Sequence, residues 1–349
     1  DSRFPNGTAC VEVRSAFIAY PALLTMKRLL LCLTVLCCIG ASLSAQPYKI
    51  AVVPKGTTHE FWKSIHAGAI KAQQELAAEG IQVEVIWQGP LREDDREQQV
   101  RVVETFVARR VHGIVLAPLD SRALAGPVET AVRGKIPVIV IDSGLDSKAQ
   151  ASFVATDNRE GGRIAARALG QALGGKGRAL MLRYAVGSNS TEEREAGFLE
   201  VMKKDFPEIQ LISTDQHAGA TRDSAKRVAE NLLNRFGRQA DGVFASNESA
   251  ASGMLLALRD AGLAGKVKFI AFDAGETLNA GLKAGEVHGL VVQDPLRMGY
   301  LGVKTMVRVL KGEKVEPVID TGVGLVTREN MNDPRSAELL SPPLSRYLK

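Results

Sequence analysis

The chain has 349 residues, 45% of them hydrophobic and 24% charged, which is room for two domains of ordinary size and too apolar a mixture for a disordered polymer. Its 44 Lys and Arg stand against 39 Asp and Glu, a net charge of +5. The two signs interleave along the sequence instead of gathering into a basic stripe, which argues against a nucleic-acid surface.

The first element is an export signal at residues 26–45. Met26-Lys27-Arg28 gives a positive start, and Leu29 to Ile39 is an apolar core of eleven residues, short of the roughly 18 expected of a membrane span. The small residues from Gly40 to Ala45 offer cleavage after Ala41 or Ala45. A lipid anchor on Cys37 or Cys38 is the rival, disfavoured because neither cysteine follows the small residue that lipid attachment requires. Residues 1–25 would bury a signal that must be N-terminal, and they read as an untranslated upstream segment. All four cysteines, Cys10, Cys32, Cys37 and Cys38, lie in or ahead of the signal. The mature chain is therefore expected in the periplasm, stabilised by its core and not by disulfides.

From Tyr48 onward short apolar runs alternate with amphipathic stretches. The runs are Tyr48 to Val53, Val83 to Trp87, Gly113 to Ala117 and Pro137 to Ile141. A second series follows with Arg178 to Arg183, Ile209 to Ser213, Gly242 to Ala245, Lys268 to Phe272 and Gly289 to Val292. Their near-continuous apolarity is that of strands covered on both faces. Helical spacing occupies Phe61 to Leu76, Asp95 to Ala108, Arg159 to Leu173, Glu192 to Lys204, Arg222 to Phe236, Ala250 to Asp260 and Leu296 to Leu310. The class is α/β, with two doubly wound parallel-sheet lobes joined by three hinge crossovers. Residues 46–156 with 294–321 are expected to form the first lobe and 157–293 with 322–332 the second. The crossings are placed near Thr156, Asp294 and Thr321, and helix Leu296 to Leu310 is expected on the first lobe. Residues 333–349, with three prolines after an Asn-Asp turn signal, read as a tail.

In open α/β sheets ligands sit beyond the carboxyl ends of the strands, which singles out the residues just after each run. These are Lys55, His59, Phe61 and Trp62 after the first, Asp142-Ser143 after Pro137 to Ile141, and Arg194 in the stretch beginning at Ser188. In the second series they are Asn247, Asp273 and Gln293. Rings suit the C–H face of a sugar, and carboxylate, amide and guanidinium groups suit its hydroxyls. Each residue also has a purely structural reading: core packing for Phe61-Trp62, helix caps for Asp142 and Asp273, a surface ion pair for Arg194. Their recurrence at successive strand ends favours a ligand site.

With these residues in place the chain resembles the periplasmic sugar-binding proteins of ABC importers, of the ribose-binding type, over about Tyr48 to Asn330. The matching segments are Glu60-Phe61-Trp62 through Gly68-Ala69, Pro137 to Asp142, Thr156-Asp157-Asn158 with Gly161-Gly162, Glu193 to Phe198, Val243 to Asn247, Phe272-Asp273 and Gln293-Asp294-Pro295. The resemblance implies that Phe61 and Trp62 sandwich a sugar while Asp142, Arg194, Asn247, Asp273 and Gln293 bond its hydroxyls. Lys55, His59 and Ser143 are weaker candidates. It also implies a monomer that serves a membrane permease and its ATPase, with no cofactor, no metal and no catalysis.

Three departures touch the pocket. Pentose binders of the family carry Asp-Arg where this chain has Asp142-Ser143, asparagine where it has His59, and an aromatic in the segment His217 to Ala220. Losing a ring and a guanidinium implies a larger, less charged cavity. Lys55 is similar to the autoinducer-2 branch. The ligand is therefore expected to be a sugar other than ribose, a polyol or a sugar-like signal. Two rivals share the fold. A repressor effector domain would need an N-terminal helix-turn-helix where the signal stands; a module presenting its ligand to a chemoreceptor or histidine kinase would look the same in sequence. Gly170 to Gly177 ends in Gly where a phosphate loop needs Ser or Thr, and no serine sits in a G-x-S-x-G turn.

Overall fold

The computed structural model describes residues 46–348; the export signal and the segment before it lie outside them. The first series of runs becomes β1 (Tyr48–Val53), β2 (Val83–Trp87), β3 (Gly113–Leu116), β4 (Val138–Ile141) and β5 (Ser152–Ala155). The second becomes β6 (Gly177–Arg183), β7 (Ile209–His217), β8 (Gly242–Ala245), β9 (Lys268–Phe272) and β10 (Gly289–Gln293), followed by β11 (Val318–Asp320) and β12 (Val323–Val326). They form two six-stranded sheets in the orders β11-β5-β4-β3-β1-β2 and β12-β10-β9-β8-β6-β7. Every pairing is parallel except β12 against β10. Strands such as β4, Val-Ile-Val-Ile and wholly buried, are possible only where helices cover both faces.

The helices are α1 (Glu60–Ala78), α2 (Arg96–Ala108), α3 (Ala125–Arg133), α4 (Asn158–Ala172), α5 (Asn189–Asp205), α6 (Arg222–Phe236), α7 (Glu248–Asp260), α8 (Glu276–Ala284), α9 (Pro295–Leu310) and α10 (Pro334–Leu340). Several starts are written in the sequence: Asp95, Asp157 and Asp294 each accept a bond from the backbone N–H three residues on, and Pro295 sits where its missing N–H costs nothing. One face of the first sheet packs on α1 and α9 through Ile65, Val115, Ile139, Val303 and Met306. The other packs on α2 and α3 through Phe106, Ile114 and Val128. The second sheet packs on α4 and α5 through Phe198, Phe244 and Phe272, and on α6 and α7 through Leu180, Leu232, Leu255 and Phe269.

The chain passes between the sheets after β5, after β10 and after β11. The Thr156 hydroxyl donates to the carbonyl of Gly322 at 3.1 Å, tying the first and third crossings together. The tail is structured rather than loose. Leu340 of α10 is buried against the second sheet's core, the Asn279 amide donates to its carbonyl at 2.7 Å, and Arg335 pairs with Asp294 at 2.6 Å.

Glycines set the helix crossings. A Cβ on Gly68 of α1 would lie 1.9 Å from the carbonyl oxygen of Leu296, and one on Gly299 of α9 would lie 2.0 Å from that of Ile65. In the second lobe the same reciprocity joins α4 and α5: Gly162 against Arg194 O at 1.9 Å, Gly197 against Arg159 O at 2.1 Å. These backbones touch, so only glycine fits. Gly174, Gly175 and Gly177, part of the discounted phosphate-loop look-alike, turn the chain out of α4 with positive φ.

Candidate functional site

β4 and β9 hold corresponding places in the two sheets, and each is followed by an aspartate in the left-handed region, Asp142 at φ 63° and Asp273 at φ 71°. Such a backbone costs about 1–2 kcal/mol for a non-glycine residue, and strain of this kind gathers where a side chain must be aimed. Both are held by the adjacent strand, Asp142 N–H to Val154 O at 3.1 Å and Asp273 N–H to Val291 O at 2.8 Å. Neither is the N-cap residue of a helix, though the Asp273 carboxylate accepts from the first N–H of α7. They face each other across a cavity of about 30 Å³ between the lobes, which also receives Lys55, His59, Phe61, Trp62, Arg194, Asn247 and Gln293. Of the residues singled out from sequence only Ser143 stays outside its lining; its hydroxyl instead accepts from the Ser190 N–H of the other lobe at 3.0 Å.

Three polar groups surround the cavity. Lys55 Nζ lies 3.0 Å from Asp142 Oδ2 and donates across the lobes to Ser190 Oγ at 3.1 Å. Arg194, 2% exposed, stacks its guanidinium 3.9 Å from the centre of the Phe272 ring, donates to Asn158 Oδ1 at 2.8 Å and to Ser246 O at 3.1 Å, and faces Asp273 Oδ2 at 3.7 Å. Asp273 also accepts from Gln293 Nε2 at 2.6 Å and from the Glu248 N–H at 3.1 Å. In the third group Glu93 accepts from Trp62 Nε1 at 2.6 Å, from His59 Nδ1 at 2.7 Å and from the Tyr184 hydroxyl. Asn247 caps α7, its Oδ1 accepting from Ala250 N–H at 3.2 Å.

Burial raises the Asp273 carboxyl, against the lowering charge of Arg194, and lowers the Arg194 guanidinium against the opposing charges of Asp273 and Asp142. Burial also raises Glu248, whose Oε1 pairs with Arg222. For His59 burial acts downward, but the bond to Glu93 and the charges of Glu93 and Glu248 outweigh it and raise the imidazole above its ordinary 6.5. Glu93 is lowered despite its burial, chiefly by His59. A raised histidine contributes stability that is complete below about pH 6.5 and is lost as pH rises through its folded pKa; the depressed Glu93 contributes above about pH 4.5 and loses it in acid. The stability deficit of His59→Ala should therefore be largest near pH 5.5 and should shrink by pH 8.5, read as midpoint differences in urea unfolding. A deficit flat across that range would show that the pair's charge contributes nothing.

One reading needs correction. Phe61 and Trp62 do not form a sandwich: their rings meet edge to face, centroids 5.0 Å apart at 85°, because consecutive residues at a helix start cannot stand on opposite sides of one ligand. The cavity's lining carries several charged groups. Lys55 brings a cation to Asp142, and Glu93, Tyr184 and Glu248 fill in the lining. With Ser190 and Thr191, these three are the lining residues that strand-end reasoning failed to pick out individually. Tyr184 follows β6 directly, so the rule that found Asp142 could have found it; Glu93 stands in a charged run that reads as solvated surface.

Two lobes, each offering strand ends to a buried polar cavity, define a ligand-capturing protein of the periplasmic binding type. Residues 50–314 match the model of the periplasmic binding protein domain, and the chain belongs to that family. It is 30% identical over 289 residues to the D-ribose/D-allose-binding protein of Pseudomonas aeruginosa, covering 80% of this chain and 88% of that one. A carbohydrate transporter solute-binding protein of Agrobacterium radiobacter, solved with D-arabinose, superposes with TM-score 0.80 at 38% identity, covering 85% and 99%. An ABC transporter solute-binding protein of Agrobacterium vitis, solved with D-fucose, gives 0.79 at 34%, covering 84% and 99%.

Proposed function

We propose that the protein captures a small neutral sugar between its lobes in the periplasm, after export by the signal at residues 26–45, and delivers it as a monomer to a membrane permease and ATPase. The ligand contacts are assigned to Phe61, Trp62, Asp142, Arg194, Asn247, Asp273 and Gln293, with Lys55 and His59 behind them; no covalent chemistry is assigned. The observation that carries the reading is a pair of buried acceptors on the cavity, Gln293 Oε1 and Glu248 Oε2, that have no hydrogen-bond partner among the described residues. A buried acceptor left unpaired costs about 1–3 kcal/mol, so these atoms call for donors, which sugar hydroxyls supply. Charge points the same way. Asp142, Asp273, Glu93 and Glu248 are matched by Lys55, Arg194, His59 and Arg222, leaving no unmatched charge for an ionic ligand. The relatives named for, or solved with, ribose, allose, arabinose and fucose support the same class.

The test is a thermal-shift screen of monosaccharides and polyols followed by solution scattering. At about 1,000 times its dissociation constant a ligand adds roughly 4 kcal/mol to stability, and lobe closure should reduce the radius of gyration. Asp273→Ala should weaken the hit by about 1.5–3 kcal/mol, roughly 10-fold to 150-fold in affinity. A panel with no hit, or a hit indifferent to Asp273, would refute the assignment.

A further inference from the structure

Ser143 is fully buried, yet it lies outside the lining of the cavity. What it meets is the loop between β6 and α5 of the other lobe. α5 begins after Ser188, whose side chain makes no capping bond to the helix, although serine in that place ordinarily satisfies a first-turn amide. The Ser190 amide of that turn donates instead to the Ser143 hydroxyl at 3.0 Å, so a helix of the second lobe is capped from the first. The next residue reciprocates, the Gly144 N–H donating to Asn189 Oδ1 at 3.0 Å. A third bond reaches the same loop, from the Ser121 N–H to Gly187 O at 3.0 Å. These segments leave no room for added side chains. A Cβ on Gly144 would lie 2.3 Å from Asn189 Oδ1, and one on Gly187 would lie 2.3 Å from Asp120 Oδ2.

We propose that Ser143 and Gly144 of one lobe and Asn189 and Ser190 of the other form a latch that holds the lobes together through bonds no ligand mediates, with Ser143 as its positioning residue. Parting the lobes uncaps the first turn of α5, but its amides then face water or turn back to Ser188, so the helix survives opening. A buried amide deprived of its acceptor in the closed form has no such recourse. The latch therefore acts on the closing equilibrium and leaves the fold of each lobe unchanged. A ligand that binds the closed form is weakened in proportion as that form is depleted, so the latch scales the affinity for every ligand by one factor.

All four cysteines lie ahead of residue 46, so Leu91→Cys and Val186→Cys, exposed positions in the first and second lobes, give the mature protein one spin label on each lobe. Pulsed electron paramagnetic resonance on the ligand-free protein should resolve a short separation belonging to the closed form. Ser143→Ala should lower the ratio of short to long separations about tenfold or more, the effect of stranding one buried amide, with the urea midpoint little changed. Asn189→Ala acts from the opposite lobe and decides the question should Ser143→Ala impair folding. A wild type without the short separation, or a variant with the wild-type distribution, overturns the latch. Sugars from the screen add a second readout, since each that binds should lose affinity by the same factor in Ser143→Ala. A factor that differs between sugars would make Ser143 a ligand contact and overturn the proposal. If no sugar binds, the functional reading falls, while the distances in the ligand-free protein still decide the latch.

Discussion

Replacing Arg194 with alanine is expected to abolish ligand binding and to lower stability by about 3–5 kcal/mol, the range for removing one partner of a buried ion pair. The sequence left open a surface ion pair, but the guanidinium is buried, stacked on Phe272 and bonded to Asn158 and Ser246. Its loss strands Asp273, whose carboxyl burial already raises and which Arg194 holds down. Without that cation the carboxyl rises further. An acid whose folded pKa lies above its unfolded value penalises the fold increasingly as pH rises, so the deficit against wild type should be smaller at pH 4.5 than at pH 7.5. Arg194→Lys retains a charge but not the planar stack or the two directed bonds, and should fall between. Denaturant midpoints at the two pH values decide it. A deficit below about 1 kcal/mol and independent of pH would mean that Asp273 draws its support from Gln293 and the Glu248 N–H alone.

The fold was legible where burial imposes a simple pattern. Strands covered on both faces are apolar nearly throughout, so β1, β8 and β9 could be bounded to the residue. The short β5, β11 and β12 were not found, because two lie at sheet edges and carry exposed or half-exposed residues, and β5 opens with a serine. The Gly126-Pro127 pair hid α3 by resembling a turn, and Pro334 hid α10 although proline is well tolerated in a first helical turn.

The site followed the same division. Asp142 and Asp273 were legible because their place just beyond an apolar run is a local property. Glu93 was not, since its burial comes from Tyr184, 91 residues on and in the other lobe, and from Trp62. Arg92, Asp94 and Asp95 beside it are the polar residues of an ordinary loop. A contact made only when two lobes meet leaves no periodicity in the sequence.

Gly162→Ala is expected to cost about 3 kcal/mol, the upper part of the range for overpacking, and to weaken ligand binding with no substitution among the ligand contacts. The added Cβ would stand 1.9 Å from the carbonyl oxygen of Arg194. Neither atom is on a flexible side chain, so α4 and α5 must separate by more than 1 Å to restore van der Waals contact. The residue displaced is Arg194 itself, whose guanidinium is fixed from the far side by Phe272 and Ser246; helix separation and site distortion are thus one event. Gly324→Ala in β12 is the control. Nothing lies within 4 Å of its Cβ position and its φ is not positive, and replacing glycine by alanine where the backbone already suits it stabilises by about 0.4–1 kcal/mol. The two identical chemical changes should therefore move the unfolding midpoint in opposite directions, and only Gly162→Ala should reduce affinity for the sugar found in the screen. A neutral Gly162→Ala would mean that the helices part freely and that the position of Arg194 is set by its side-chain bonds, not by the crossing beneath it.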